Sequence, residues 1–417
     1  MLQLAVTLVR QAGLSFRGTA AALAVFAALN DTAVSLPATP CATTVRSWVI
    51  RLGYAQLTRP LTHERPWAWL IDHTLQIGAV KLFVIVGVLL DEVPFGVRPL
   101  QLSDLHLVAM VPMETANQPI VTAELEKAVA RTGVPRQIVS DGASELHTAI
   151  ASFHANHPET IGVSDVAHHV ANLLKHYWQK DPMWVAFTRR MSETAATLRQ
   201  TRGAYLVAPK LRNKARFMSV AKFVRFGRIV LGKLRETTAD AEVVKHYGWV
   251  SEYAALLSAW DEQHELVQST LRQVRVEGHF ARGLAVLEEQ WQHASVSDNA
   301  TTAKLRSRLR AYVACGSRLV KPGERLIGST EILESAFGVQ KRLSRDQSSS
   351  GLTVLSVGLG AMLGSATPEQ MQSDVERVPE KAVECWAKRM FGSTVQWLRR
   401  RFFKPCVHPN KSVPNPG

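Results

Sequence analysis

Three acidic side chains stand out as candidates for chemistry: Asp72, Asp141 and Glu334. Asp141 ends a short apolar run in Gln137-Ile-Val-Ser-Asp141-Gly-Ala-Ser-Glu145, the pattern of a strand breaking into a tight turn. Taken alone, Ser140-Asp141-Gly142 reads as an ordinary turn, because Asp-Gly is a common turn pair. Asp72 interrupts a second apolar run, Trp67-Ala-Trp-Leu-Ile-Asp72-His-Thr74. Glu334 lies far downstream in Ser329-Thr-Glu-Ile-Leu-Glu334-Ser-Ala-Phe-Gly-Val-Gln-Lys341, which reads as a helix with Ser329 or Thr330 as its cap. Glu331 sits one turn earlier near the same face, where it suits the helix dipole, so either glutamate could be the third acid.

Carboxylates gathered from rigid elements suit one reaction class in particular. A phosphodiester repels nucleophiles by its own charge. Two divalent ions about 3.5–4 Å apart overcome this by activating the attacking oxygen and stabilising the leaving one. Magnesium prefers oxygen ligands and keeps several waters, so a few carboxylates suffice to hold it.

The elements that would position these residues follow from the periodicity. Residues 67–74, 81–90, 105–113, 137–140 and 160–163 read as strands, with helices over 120–132, 144–153 and 166–178. Three strands in succession, then alternating helix and strand, predict an α/β sheet of mixed direction. Residues 180–325 read as mostly helical, with candidate helices at 189–200, 215–235, 242–260, 262–272, 281–293 and 303–314. Before the sheet, residues 2–11, 16–29 and 45–52 read as helices, the last capped by Thr43 or Thr44 and stopped by Gly53. Residues 30–40 read as a loop and 58–66 as a proline-containing linker. Beyond the glutamate helix come a polar loop at 347–350, an apolar helix or hairpin at 352–363, one basic helix at 381–404 and a Pro/Asn-rich tail. The organisation expected is 1–60 helical, 61–179 the first part of the core, 180–325 a helical insertion, 326–345 the returning core helix, and 346–417 a basic helical tail.

Composition narrows the partner. Lys and Arg number 49 against 35 Asp and Glu, a net charge of +14, which points to an anionic partner, nucleic acid first. Short helices followed by one carrying Arg46 and Arg51 suggest a helix-turn-helix; a plain helical bundle is the alternative. Lys210, Arg212, Lys214 and Arg216 open the densest basic stretch, interleaved with Phe217, Phe223 and Phe226. That pattern fits either a phosphate track or a solvated helix face with aromatics in the core. Four scattered cysteines without a C-x-x-C pair fit a reducing cytoplasm, and no apolar run is long enough for a membrane span. No leader pattern is evident at the N-terminus.

The three acidic motifs in this order resemble the catalytic triad of the DDE transposases of insertion sequences. In that family the glutamate sits in a helix followed by an aromatic residue and then a basic one, as Phe337 and Lys341 do here. Val163-Ser-Asp165-Val-Ala-His168 is similar to a C/D-x-x-H signature that several such families carry after the fifth strand. The residues around Leu14–Arg17 and 44–53 resemble their helix-turn-helix. The resemblance implies an RNase H-like core interrupted by an all-helical insertion. It implies Asp72, Asp141 and Glu334 as ligands of two Mg²⁺, with Mn²⁺ as a substitute, and Asp165 and His168 as supporting residues. It favours Glu334 over Glu331. Double-stranded DNA, both element ends and target, would be the partner, contacted by Arg46, Arg51, Lys210, Arg212, Lys214, Arg216 and Lys341. A homo-oligomer on DNA and a prokaryotic, nucleoid-associated location are further expectations. The rival readings are a nuclease on the same core without strand joining, and a silent transposase-derived DNA-binding protein.

Overall fold

The computed structural model describes residues 1–29, 38–77, 80–211, 217, 220–238, 240–292, 299–344, 352–393 and 395–403. Three helices come first: α1 (Leu2–Arg10), α2 (Phe16–Leu29) and α3 (Ala42–Thr58). The sheet region follows as β1 (Trp67–Ile77), β2 (Val80–Leu89), β3 (His106–Met113), α4 (Gln118–Thr132), β4 (Gln137–Ser140), α5 (Ser144–Asn156), β5 (Ile161–Ser164) and α6 (Val166–Trp178). The five strands form one sheet in the order β3-β2-β1-β4-β5. β1 pairs antiparallel with β2, and β2 with β3, whereas β4 runs parallel to both β1 and β5. The fold is therefore mixed α/β, as the periodicity predicts.

Side-chain alternation along β1 sorts its residues between two cores. Trp67, Trp69 and Ile71 pack with Val121 and Leu125 of α4 and with Leu146 and Phe153 of α5. Ala68 and Leu70 point to the opposite face. There they meet α3 and α13 (Glu331–Ser344), through Leu333, Ala336 and Phe337. β1 runs on past Asp72 to Ile77 against β2, but its pairing with β4 stops at Ile71↔Ser140. Asp72 thus stands at the point where two strands part, and not at the strand's own end.

The described residues between 180 and 325 are mainly helical: α7 (Pro182–Leu198), α8 (Ala221–Leu234), α9 (Ala241–Tyr247), α10 (Ala254–Val276), α11 (Gly283–Gln292) and α12 (Ala300–Arg318). Their core is aromatic: Trp184 lies 4.5 Å from Trp178 and 4.9 Å from Trp260, and Phe187 lies 5.7 Å from Phe223. Each such ring removes enough apolar surface to contribute about 2–3 kcal/mol. Phe223 is therefore a core residue, while Lys222, Arg225 and Arg228 face outward. Two sequence-predicted helices, 242–260 and 262–272, are divided differently. A 3-10 segment separates α9 from a continuous 23-residue α10, because Leu257, Trp260, Leu266, Val267 and Leu271 keep one buried stripe across Asp261.

The N-terminal helices do not stand apart. Leu2, Val6 and Val9 of α1 and Val45, Val49 and Leu52 of α3 share a core with Ala361, Met362 and Val375. The last two elements there are α14 (Gly358–Met362) and α15 (Pro368–Arg377). Gly53 does not stop α3, which continues to Thr58. It faces Gly360, and a Cβ on Gly53 would overlap the Val357 carbonyl, so the glycine permits close backbone packing. The N-cap is Cys41, and the hydroxyls of Thr43 and Thr44 lie 2.9 and 3.2 Å from its Sγ. Residues 59–66 are tied down, Arg59 to Asp374 and Arg65 to Asp91 and Glu92.

The C-terminal basic segment is two helices, α16 (Glu380–Phe391) and α17 (Val395–Phe402), parted at Gly392, whose φ of 67° is left-handed. Residues 354–362 form a 3-10 turn running into α14, not a hairpin. Most of the 30–40 loop, the 347–350 loop and the tail from 404 lie outside the described residues. No helix among the described residues is long and apolar enough to cross a membrane.

Candidate functional site

On three neighbouring strands the position just past the last β4 pairing is acidic and of the same parity. Ser140 aligns with Ile71 of β1 and with Ser164 of β5. The next residues are Asp72, Asp141 and Asp165. Each lies two positions after a residue that faces the α13 side of the sheet: Leu70, Val139 and Val163. By alternation all three carboxylates start from that face. α13 packs there through Leu333 and Phe337, which leaves Glu334 exposed beside them.

The turn after β4 explains how Asp141 is held. Gly142 adopts φ +83°, open to glycine without strain, and the Ala143 N–H donates to Asp141 Oδ1 at 2.9 Å. Asp72 Oδ1 accepts from the His73 N–H at 2.6 Å. Burial pushes the Asp72 carboxyl up to about 7; the charge of Asp141 adds to this, as does that of Glu334, and His168 opposes it. Asp72, Asp141, Glu334 and His168 therefore share one electrostatic neighbourhood. No Lys or Arg forms an ion pair with Asp72, Asp141 or Glu334 among the described residues.

Asp165 is 1% exposed and satisfies three donors. Its Oδ2 accepts from the His168 N–H at 2.7 Å and lies 2.8 Å from His168 Nδ1; its Oδ1 accepts from the Thr330 N–H at 2.7 Å. The Asp165 bond holds His168 cationic, its imidazolium raised to about 9, with further help from Asp141 and Glu334. Burial pushes the Asp165 carboxyl up, but the bonds it accepts from His168 and Thr330, with the His168 charge, together outweigh this and keep it below the usual carboxylate range.

The two glutamates of α13 separate clearly. Glu331 is ion-paired with Arg275 of α10, a partner that no sequence signal marked. Glu334 has no such partner among the described residues. Lys341 is exposed seven residues beyond Glu334, two turns along the same face. Lys210 is exposed and Arg46 partly so. Arg51 is different: its guanidinium donates to the Val378 carbonyl at 2.6 Å and also to that of Val375. It fastens α15 to α3 and is withdrawn from the set of phosphate contacts. Arg212, Lys214 and Arg216 lie outside the described residues.

His73 takes the opposite parity to Asp72 and faces α5. It packs on Phe83 at 5.3 Å, near the Lys81–Glu145 pair.

As they stand, no three His, Cys, Asp or Glu side chains among the described residues are close enough to hold one ion. Asp141 and Glu334 are near enough for their charges to act on Asp72, which is a looser condition than coordination. In donor chemistry the set fits a hard divalent cation: hard oxygens and clustered negative charge that His168 offsets only in part, with no Lys or Arg ion-paired to it among the described residues. No protein-family model matches the chain, and no curated protein matches it.

Proposed function

We propose that the chain is a DDE-type transposase with an RNase H-like core, acting on double-stranded DNA. The observation carrying this reading is the alignment of Asp72 and Asp141 on adjacent parallel strands, on the face that Glu334 overlooks. The order β3-β2-β1-β4-β5, with a helical block inserted before α13, supports an RNase H-like core of the expected kind.

In this reading Asp72, Asp141 and Glu334 would hold two magnesium ions. Bound there, magnesium would supply Lewis acidity to the attacking and leaving oxygens. The chain's own contribution is positioning. Asp165 fixes α13 and hence Glu334. The His168 cation offsets part of the carboxylates' repulsion. Lys341 and Arg46 offer charge to phosphates. A water attacks phosphorus and the bond to the 3′ oxygen breaks, freeing a 3′-hydroxyl. That hydroxyl then attacks a target phosphodiester, exchanging one P–O bond for another without redox change. Because two element ends must be cut together, a homo-oligomer on DNA belongs to the proposal, as does a nucleoid location.

The test is a strand-transfer assay. A duplex carrying the DNA that flanks this reading frame, pre-cut to expose its 3′-hydroxyl, is incubated with target plasmid and Mg²⁺. Joined products are expected. Cleavage without joining would replace the transposase by a nuclease, and neither activity would leave a DNA-binding protein.

A further inference from the structure

α12 has no acidic residue along its 19 positions. Its buried side is Thr302, Leu305, Leu309, Val313 and Gly316. On the other side Lys304, Arg308, Ala311, Cys315 and Arg318 recur three or four apart, so they form a single stripe, and all are exposed. Lys304, Arg308 and Arg318 have no ion-pair or hydrogen-bond partner among the described residues. The other two arginines of the helix are engaged: Arg310 pairs with Glu288 at 2.6 Å, and Arg306 lies over the Trp291 ring at 5.8 Å. Small side chains between the free cations leave the stripe shallow. From Lys304 to Arg318 it runs roughly 21 Å at 1.5 Å per residue, a length matching about six base steps of duplex.

The stripe borders the carboxylate site. Tyr312, on the same helix, donates its hydroxyl to the Ser164 carbonyl at 2.7 Å, immediately before Asp165. Its ring stacks on His169 at 4.3 Å, immediately after His168. Arg308 is near enough for its charge to act on His169.

We propose that this face of α12 binds the phosphate backbone of the DNA whose scissile bond enters the carboxylate site. The inference rests on the transposase reading for its substrate. An anionic membrane fits less well, because no large apolar side chain accompanies the cations.

Cys315 provides a native probe, since it lies on the stripe, while Cys41 and Cys385 are exposed elsewhere. Full-length protein is incubated, without divalent metal, with a duplex bearing thiol-reactive tethers on successive backbone phosphates. Crosslinking is expected at Cys315. Affinity is measured in parallel for wild type, K304E/R308E and the milder K304Q/R308Q, each checked for an unchanged circular dichroism spectrum. Charge reversal should weaken binding at least about tenfold and lower the salt slope by about two contacts, with the glutamine variant intermediate. Crosslinks confined to the other cysteines, or unchanged affinity in both variants, would overturn the proposal. If wild type binds no duplex at all, the transposase reading itself falls; if it binds and only the α12 variants are indifferent, that reading stands and this one does not.

Discussion

The backbone N–H of Thr330 donates to Oδ1 of Asp165 at 2.7 Å, across 165 residues of sequence. The bond fastens the first turn of α13, and with it Glu334, to the junction of β5 and α6. Val166 N–H to Gly328 carbonyl, at 2.9 Å, reinforces the same seam. Replacing Asp165 by Ala would leave the Thr330 N–H and both His168 donors without a partner in a buried site. The expected cost is about 3 kcal/mol, because an abandoned buried charge partner is expensive. Urea unfolding of Asp165→Ala against wild type checks it.

The Asp165–His168 pair also sets a pH dependence. His168 is raised from 6.5 to about 9 on folding, so its contribution is full below pH 6.5 and disappears as pH climbs to about 9. Asp165 is lowered from 3.8, so its contribution is present above that value and is lost as pH falls through its folded value. Wild-type stability should therefore decline between pH 6.5 and 9, and His168→Gln should flatten that decline. Urea midpoints measured across this window for both proteins decide it.

Glu331 and Glu334 should respond oppositely to amide substitution. Glu331→Gln breaks the ion pair with Arg275, where both side chains are about one-third exposed, so a stability loss of about 1 kcal/mol or less is expected. DNA cleavage should persist. Glu334→Gln removes an exposed carboxylate with no ion-pair partner among the described residues. Its stability should stay within about 0.5 kcal/mol of wild type, while cleavage drops by more than about a hundredfold. Paired unfolding and cleavage assays separate the two.

Gly53→Ala tests the close packing of α3 on the C-terminal segment. The methyl would meet the Val357 carbonyl and the Cα of Gly358 at 3.2 Å, both backbone atoms that cannot swing aside. Overpacking of this kind costs about 1–3 kcal/mol, and calorimetry should show the melting temperature falling accordingly.

Much of the sheet was legible because its signals are local. The apolar run of β2 and the Ser-Asp-Gly turn after β4 each declare themselves within a few residues. The parity placing Asp72, Asp141 and Asp165 on one face is implicit in their distance from Leu70, Val139 and Val163. What could not be read depends on contacts remote in sequence. Gly53 has the pattern of a helix stop, and only Val357 and Gly360 reveal it as a contact point. Arg51 looks like a phosphate ligand until the Val375 and Val378 carbonyls claim it. Arg275 lies within a long helix with no motif around it, so its hold on Glu331 was invisible. The single basic helix expected at the C-terminus divides because Gly392 takes a left-handed φ, a choice that a lone glycine inside a helical pattern does not announce.

In the proposed mechanism Asp72, Asp141 and Glu334 act as one metal-dependent site. Its most direct test is Mg²⁺-dependent cleavage of a duplex bearing the flanking DNA, by wild type and by Asp141→Asn. That substitution keeps the shape of a partly exposed turn residue while removing its charge. We expect cleavage by wild type and a loss of more than about a hundredfold in Asp141→Asn, with unchanged unfolding behaviour. Undiminished cleavage by Asp141→Asn would rule out a shared metal site and return Asp141 to the role of a turn residue.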